Sequence, residues 1–186
     1  MLLIADRLRN LSFGSLMEVY RESNEWNGEE FFSMETPERQ LALAEERFYQ
    51  YLQEDFFSQP DARYFIWTEN AEYVSALRLW PFRDGQLLEG LETKPGQRRK
   101  GYAASLIRAV QELSPAGTRI YSHVSRDNTA SMRLHESCGF RVAQESARYL
   151  DGSVSTRCKT MCWEKGNNKK HVFPEKGKIH LTNPIG

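Results

Sequence analysis

The sequence lacks an excess of charge of either sign. Its 186 residues carry 25 Lys and Arg against 25 Asp and Glu, so the formal net charge at pH 7 is zero. A chain balanced in this way has no general electrostatic attraction to nucleic acid or to an anionic membrane surface. We therefore expect neither partner, and any recognition of charge must be local.

Cysteine and long apolar runs are also scarce. The three cysteines, Cys138, Cys158 and Cys162, are odd in number and show no metal-ligand spacing. This pattern predicts reduced thiols, no metal centre and a cytoplasmic protein. The apolar start is interrupted at Asp6, which is too early for a signal peptide or a membrane span.

The first half of the chain predicts helices followed by antiparallel strands. One helical segment is expected within 15–26. A second begins at Thr36, Pro37 and Glu38, which supply an N-cap, a proline at the first helical position and an acid in the first turn. Aromatic and β-branched runs then predict strands at 64–67, 73–80 and 87–93, with tight turns between them.

The second half alternates helices and strands. We expect a helix over 101–113, a strand over 120–124, a helix capped by Asn128 and stopped by Gly139, and a hairpin over 142–163. A strand–helix–strand unit requires a parallel pair, so the fold class is α/β with a mixed central sheet flanked by helices. Because Asn, Lys, Pro and Gly dominate the C-terminal end, one domain over 1–164 and a flexible tail over 165–186 are predicted.

A basic loop before the helix at 101–113 has the properties of an anion site. Pro95 and Gly96 turn the chain after a strand, and Arg98, Arg99 and Lys100 precede Gly101. The first turn of a helix presents free N–H groups and the positive end of the helix dipole, which together suit a phosphate. The loop matches neither the P-loop nor the dinucleotide-binding fingerprint.

Two blocks together resemble the GNAT acetyltransferases. Arg98-x-x-Gly101-x-Ala103 is similar to that family's Q/R-x-x-G-x-G/A motif, between a strand and a helix. The stretch 124–140, with Asn128 and a closing Gly139-Phe140, is similar to the later signature, an Asn followed by a helix ending in Leu-Tyr-x-x-x-Gly-Phe. The resemblance covers about residues 60–164 and implies a GNAT fold with a splayed parallel strand pair.

The resemblance also implies acetyl-CoA as cosubstrate, without a metal, and direct acetyl transfer to an amine. Carried over position by position, Asn128 would meet the pantetheine arm from one side, opposite the strand residues Leu91, Glu92 and Thr93. The pyrophosphate would be held by the loop and helix start, comprising Arg98, Arg99, Lys100, Gly101, Tyr102, Ala103 and Ala104.

Three side chains are candidates for proton transfer. The family usually has a Tyr, which donates a proton to the departing sulfur, where this chain has His135. Glu89, on the strand before the loop, and His123, on the next strand, are alternative general bases. Each of the three is equally compatible with a structural role.

The acceptor is expected over the N-terminal helices, where Trp67, Tyr73 and Trp80 form either a wall of the site or part of the core. It would be a small-molecule or peptide amine, bound by a monomer or a homodimer. Because His135 replaces the usual Tyr, a non-catalytic acyl-CoA-binding module is the main alternative. An enzyme that uses a longer acyl donor or a hydroxyl acceptor is a further alternative.

Overall fold

A mixed sheet organises the chain in the computed structural model, which describes residues 1–149 and 151–166. The helices are α1 (Phe13–Val19), α2 (Arg21–Phe31), α3 (Pro37–Tyr51), α4 (Tyr102–Leu113) and α5 (Thr129–Ser137). The strands are β1 (Leu2–Ala5), β2 (Arg63–Glu69), β3 (Glu72–Phe82), β4 (Gly85–Thr93), β5 (Arg119–Ser125), β6 (Arg141–Gln144), β7 (Ala147–Arg148), β8 (Val154–Ser155) and β9 (Cys158–Glu164).

Seven of these strands form one sheet in the order β1-β2-β3-β4-β5-β9-β6, and β7 and β8 form a separate small ribbon. All neighbours in the large sheet are antiparallel except β4 and β5, which are parallel. The predicted mixed sheet with a central parallel pair is therefore confirmed.

Each face of the sheet carries its own core because strand residues alternate between the faces. On one face Tyr64 and Ile66 pack with Leu16 of α1 and with Leu52 and Phe56, which lie in a π-helical turn that continues α3. On the other face, the strand residues Phe65, Leu77 and Leu79 form a second core. They pack against Leu106, Ile107 and Val110 of α4. The two cores place α1, α2 and α3 on one side and α4 on the other.

Local capping chemistry fixes two of the helix starts that the sequence predicts. Thr36 accepts a hydrogen bond from the backbone N–H of Arg39 at the start of α3. Asn128 Oδ1 accepts one from the N–H of Ser131 at 3.0 Å at the start of α5. Both caps satisfy donors that a helix cannot satisfy itself.

Three features differ from the sequence prediction. The short apolar start forms β1, paired with β2, where no strand was predicted. The segment within 15–26 is two helices that meet at Tyr20. The C-terminal hairpin is interrupted: β6 pairs with β9, and β7 pairs with β8. Most of the predicted tail, 167–186, lies outside the described residues, as does Leu150.

The central parallel pair separates along its length. β4 and β5 are paired only from Gln86–Ile120 to Leu88–Ser122. Beyond that point β4 follows β3 and β5 follows β9, so the two strands diverge. A bulge accompanies the divergence: Arg78 faces Glu89 and Ala76 faces Glu92, so β4 carries an extra residue there, and Gly90 adopts a φ of 55°. The result is a wedge-shaped opening between β4 and β5.

Candidate active site

The opening between β4 and β5 leads into a large cavity, which we call the donor cleft after the role proposed for it. Its volume is about 1030 Å³. It is bordered by the end of β4, the loop before α4, the first turn of α4 and the exposed side of α5, through Leu91, Glu92, Thr93, Gln97, Arg98, Arg99, Gly101, Tyr102, Ala103, Ala104, Asn128, Thr129, Ala130, Ser131, Arg133, Leu134 and Ser137. The structure thus brings together all the predicted cofactor-binding residues except Lys100.

The backbone at one end of the donor cleft is shaped for an anion. Arg99 and Gly101 have positive φ values of 66° and 83°, which turn successive N–H groups toward the same side. Gly101 is the N-cap of α4, and no side chain caps this helix start. The first-turn N–H groups therefore face the cleft together with the positive end of the helix dipole.

The basic side chains near this loop differ in their partners. Arg98 pairs with Glu22 of α2 at 2.6 Å. Lys100 donates to Gln97 Oε1 at 2.7 Å and does not line the cleft. Arg99 and Arg133 line the cleft and take part in no ion pair among the described residues. These two side chains supply positive charge that an anionic ligand can use.

His135 lies behind the cleft wall. Its side chain is 2% exposed and packs edge-on against Phe140. Nδ1 lies 2.8 Å from the carbonyl oxygen of Ser131, which can only accept, so Nδ1 carries the proton. Nε2 is buried without a hydrogen-bond partner among residues 1–149 and 151–166. Burial lowers the pKa of His135 below its usual value, so the ring is neutral near pH 7.

The two predicted bases, His123 and Glu89, line neither cavity. His123 Nε2 donates to the carbonyl of Arg148 at 3.2 Å, and Nδ1 lies 3.1 Å from Thr160 Oγ1. Burial is the main cause of its lowered pKa. Glu89 faces Arg78 across the strands, and burial raises the pKa of its carboxyl although Arg78 opposes that rise.

A second, smaller cavity of about 240 Å³ opens on the other face of the sheet, under α2 and α3. We call it the acceptor cavity. It is lined by Tyr20, Ser23, Asn24, Asn27, Phe48, Tyr51, Arg78, Gly90 and Glu92. Glu92 lines both cavities, and Ser23 donates to its Oε1 at 2.7 Å. Burial raises the pKa of Glu92, against the lowering effects of Ser23 and Arg78.

Comparison with known proteins decides the family. The family model described as Acetyltransferase (GNAT) family matches residues 19–140, well over half of the chain. The chain belongs to the GNAT acetyltransferase family. No curated protein matches it.

Solved structures share the GNAT fold with this chain at low identity. PaiA N-acetyltransferase from Thermoplasma acidophilum, in complex with coenzyme A, aligns with a TM-score of 0.59 at 15% identity over 89% of this chain and 99% of that one. An aminoglycoside 6'-acetyltransferase type Ii gives 0.58 at 15% identity over 88% and 96%. A spermidine N-acetyltransferase chimera from Vibrio cholerae and hSSAT gives 0.51 at 19% identity over 87% and 93%.

Sequence reasoning missed several residues of this GNAT site. The acceptor cavity uses Tyr20, Phe48 and Tyr51 as its aromatic wall, whereas Tyr73 accepts a hydrogen bond from the N–H of Ser12 and Trp80 packs in the core. One signal was available. Arg78 is the only charged residue between Tyr73 and Phe82 in the mostly apolar β3, and such a residue needs a reason to be buried.

Two further observations concern only the described part of this GNAT chain. It contains no group of three or more His, Cys, Asp and Glu side chains placed to hold a metal ion. None of its helices combines the length and the apolar character that crossing a membrane requires.

Proposed function

We propose that the chain is an N-acetyltransferase that moves an acetyl group from acetyl-CoA to a primary amine within a ternary complex. One observation carries the proposal: Glu92 lines both the donor cleft and the acceptor cavity. The two cavities open on opposite faces of the sheet and meet where β4 leaves β5. A donor and an acceptor bound in them would bring their reacting ends together without a covalent enzyme intermediate.

The donor cleft has the properties that a coenzyme A thioester requires. The α4 start and the positive φ values at Arg99 and Gly101 suit the pyrophosphate. The unpaired edge of β4 over 89–93 offers backbone groups to the pantetheine amides, as a neighbouring strand would. Asn128 and Ser131 line the opposite wall. A volume of about 1030 Å³ is ample for an extended cofactor.

In the proposed reaction the neutral amine attacks the acyl carbon of the thioester. A C–N bond forms, the C–S bond breaks, and the electron pair of that bond leaves on the sulfur. The amine nitrogen loses one proton, and the sulfur ends as the thiol of coenzyme A after taking one up. Backbone N–H groups at the bulge of β4 are placed to stabilise the developing oxyanion.

Glu92 is best placed to take the proton of the amine. It lies at the junction of the two cavities, and its raised pKa brings a carboxylate closer to the working range of a general base. Glu89 and His123 stay the alternatives that the sequence predicts. Glu89 would need a water relay from beside Arg78, and His123 already uses both ring nitrogens in local contacts.

The protonation of the departing sulfur by His135 also stays a prediction. The neutral tautomer with the proton on Nδ1 offers no donor at Nε2, so His135 would have to be charged first. A thiol has a pKa of about 8.5, which makes a thiolate a tolerable leaving group near neutral pH. We therefore propose that His135 supports the α5 wall and that the sulfur takes its proton from water.

The donor site is tested by calorimetry with acetyl-CoA on Gly101→Glu and Gly152→Glu. Both glycines have nearly the same φ, 83° and 84°, and an added Cβ meets nothing within 4 Å at either. The two variants therefore carry equal backbone strain, but only Gly101 lies in the cleft. We expect Gly101→Glu to weaken binding by at least about 10-fold through repulsion of the pyrophosphate, and Gly152→Glu to bind normally.

Turnover is read as free thiol released with a panel of amines. No acetyl-CoA binding by the unchanged chain, or equal affinity of the two glycine variants, would contradict the donor site. Binding without thiol release on any amine would favour a non-catalytic acyl-CoA-binding module instead.

A further inference from the structure

The arginine in the middle of β3 is the least expected member of the acceptor cavity. The guanidinium of Arg78 lies over the rings of Phe48, Tyr51 and Phe56, with its central carbon 5.3, 5.1 and 6.0 Å from their centroids. Gly90 covers another side, since a Cβ there would lie 2.9 Å from Nη2. Aromatic rings and glycine backbone thus hold the group in one place.

Within the described part of the chain, the carboxylates of Glu89 and Glu92 interact with this cation only at longer range, since Arg78 lowers the pKa of both. No carboxylate there forms an ion pair with Arg78, and its Nε and Nη1 atoms are buried without hydrogen-bond partners. Arginine stays protonated at all ordinary pH values. Burying such a group without a close ion pair or hydrogen bonds at these atoms is costly, and binding sites are where proteins accept that cost. The accessible edge of the side chain lines the acceptor cavity.

The rest of the lining is polar and fixed. Asn24 is 3% exposed, and its amide reaches only the sulfur of Met17, a weak acceptor, at 3.3 Å. Tyr20 donates to the carbonyl of Gly90 at 2.5 Å. Ser23 donates to Glu92. The cavity therefore has a carboxylate at the junction with the donor cleft, a cation further along, and amide groups between the helices.

From this arrangement we infer that the acceptor is a small amine that also carries a carboxylate, with the amine at Glu92 and the carboxylate at Arg78. The inference rests on the proposed acetyl transfer and names the substrate class of that site. Arg78 is its specificity-determining residue. The group acetylated is the amine nitrogen, which exchanges one hydrogen for the acetyl group.

The register of the sheet limits how far apart the two groups lie. Glu92 is paired with Ala76, and Arg78 is two residues along β3 on the same face. Since a strand rises roughly 3.3 Å per residue, the anchors are roughly 7 Å apart along the strand. A volume of about 240 Å³ holds about eight water-sized atoms at ~30 Å³ each. Both values fit an amino acid of few carbons.

The same geometry disfavours a polycationic acceptor. A second ammonium group in a cavity of this size would lie close to the guanidinium of Arg78, and like charges repel strongly where water is excluded. The aromatic faces of Phe48 and Tyr51 that would otherwise attract an ammonium group are already covered by Arg78.

The test compares acceptors that differ only in charge. Glycine, β-alanine and 4-aminobutyrate are paired with their amides, spermidine is added, and thiol release gives kcat/KM for each. The unchanged chain should prefer each acid over its amide on the order of 10- to 100-fold, the usual range for a charge-assisted contact. Arg78→Gln should reduce that ratio to about one, while Arg78→Lys should keep part of it.

Two controls separate folding and donor binding from acceptor choice. Calorimetry with acetyl-CoA on Arg78→Gln should match the unchanged chain, which shows that the variant is folded. Arg141→Gln changes an arginine on the exposed strand β6, away from both cavities, and should keep the full preference for acids. Binding of the acids and amides is measured by NMR line broadening, both with and without coenzyme A, independently of turnover.

The outcomes distinguish the inference from the proposed function. Equal use of acids and amides by the unchanged chain, preference for spermidine, or a ratio unaffected by Arg78→Gln would overturn the carboxylate inference alone. Absence of acetyl-CoA binding would overturn the proposed function, and the NMR arm would still decide the inference: it fails if the acids bind no better than the amides.

Discussion

At the scale of single residues, the role proposed for Glu92 depends on the face of the sheet on which it lies. Sequence reasoning placed it beside the pantetheine and left Glu89 and His123 as alternative bases, because alternation along a strand does not reveal where the strand bulges. The bulge moves Glu92 to the face that carries Arg78. The residue type was available from the sequence, but its orientation depends on a bulge, for which Gly90 inside the strand is a weak local signal.

Replacing Glu92 or Glu89 by glutamine tests which of the two carboxylates is the general base. Glu92→Gln should lower kcat/KM by about 10²- to 10³-fold, within the range for loss of a general base, and Glu89→Gln by much less. With an active carboxylate of raised pKa, activity falls as the pH falls through that pKa, because the protonated form cannot accept the amine's proton. Stopped-time thiol assays between pH 5 and 9 check this.

The pH profile of the Arg78→Gln variant tests the same assignment of the base to Glu92. Arg78 lowers the pKa of Glu92, so its removal should move the acid limb to higher pH. If Glu89→Gln, rather than Glu92→Gln, abolishes the acid limb, the base is Glu89, one of the two bases that the sequence predicted.

At the scale of elements, capping signals predicted the helices well because they act locally. Thr36 with Pro37, and Asn128, start α3 and α5 as expected. The strand β1 and the break between α1 and α2 were missed because both depend on distant partners: β1 exists through pairing with β2, and Tyr20 is fixed by its bond to Gly90. Helix α5 also carries a feature that propensity cannot show, the buried ring of His135.

Burial of His135 makes the stability of the α5 region depend on pH. Its folded pKa is lowered, whereas in the unfolded chain the imidazole takes up a proton near its usual pKa of about 6.5. Below that value the unfolded state binds more protons, so the free energy of unfolding falls as the pH falls toward 5. His135→Phe, which keeps the packing on Phe140, should make that fall shallower in urea titrations at pH 5 to 7.5.

The same variant tests the role of His135 in catalysis. If the ring protonates the departing sulfur, kcat should drop while the affinity for acetyl-CoA stays the same. If the ring only supports the cleft wall, both should change little. If the free energy of unfolding of His135→Phe depends on pH as steeply as that of the unchanged chain, burial of this ring does not contribute to the pH dependence of stability.

At the scale of the whole molecule, two cavities on opposite faces of one sheet share a single strand end. The order of the elements and the parallel pair could be predicted because they follow from a strand–helix–strand pattern. The acceptor cavity could not, since it is assembled from Tyr20 and from α2, α3, β3 and β4, which are spread along the first half of the chain. Its occupant therefore depends on tertiary packing rather than on any motif.

The divergence of β4 and β5 should be visible in backbone amide exchange. Without ligand, the amides over 89–93 that point toward β5 should exchange faster than those of the paired segment 86–88. Acetyl-CoA should slow the exchange of these amides and leave β2, which lies away from the cleft, unchanged. Protection limited to the loop over 98–104 would show that the ligand does not reach the strand.

The gap between β4 and β5 leaves the edge of β4 over 89–93 without a neighbouring strand. A pantetheine arm lying there would take the place of an interior strand. Because it would bind only the folded chain, its binding would raise the free energy of unfolding. At a free concentration 100 times the dissociation constant this linkage amounts to about 2.7 kcal/mol, a large part of the stability of an ordinary domain. The cellular supply of coenzyme A would then set how long this protein survives proteolysis as well as how fast it works.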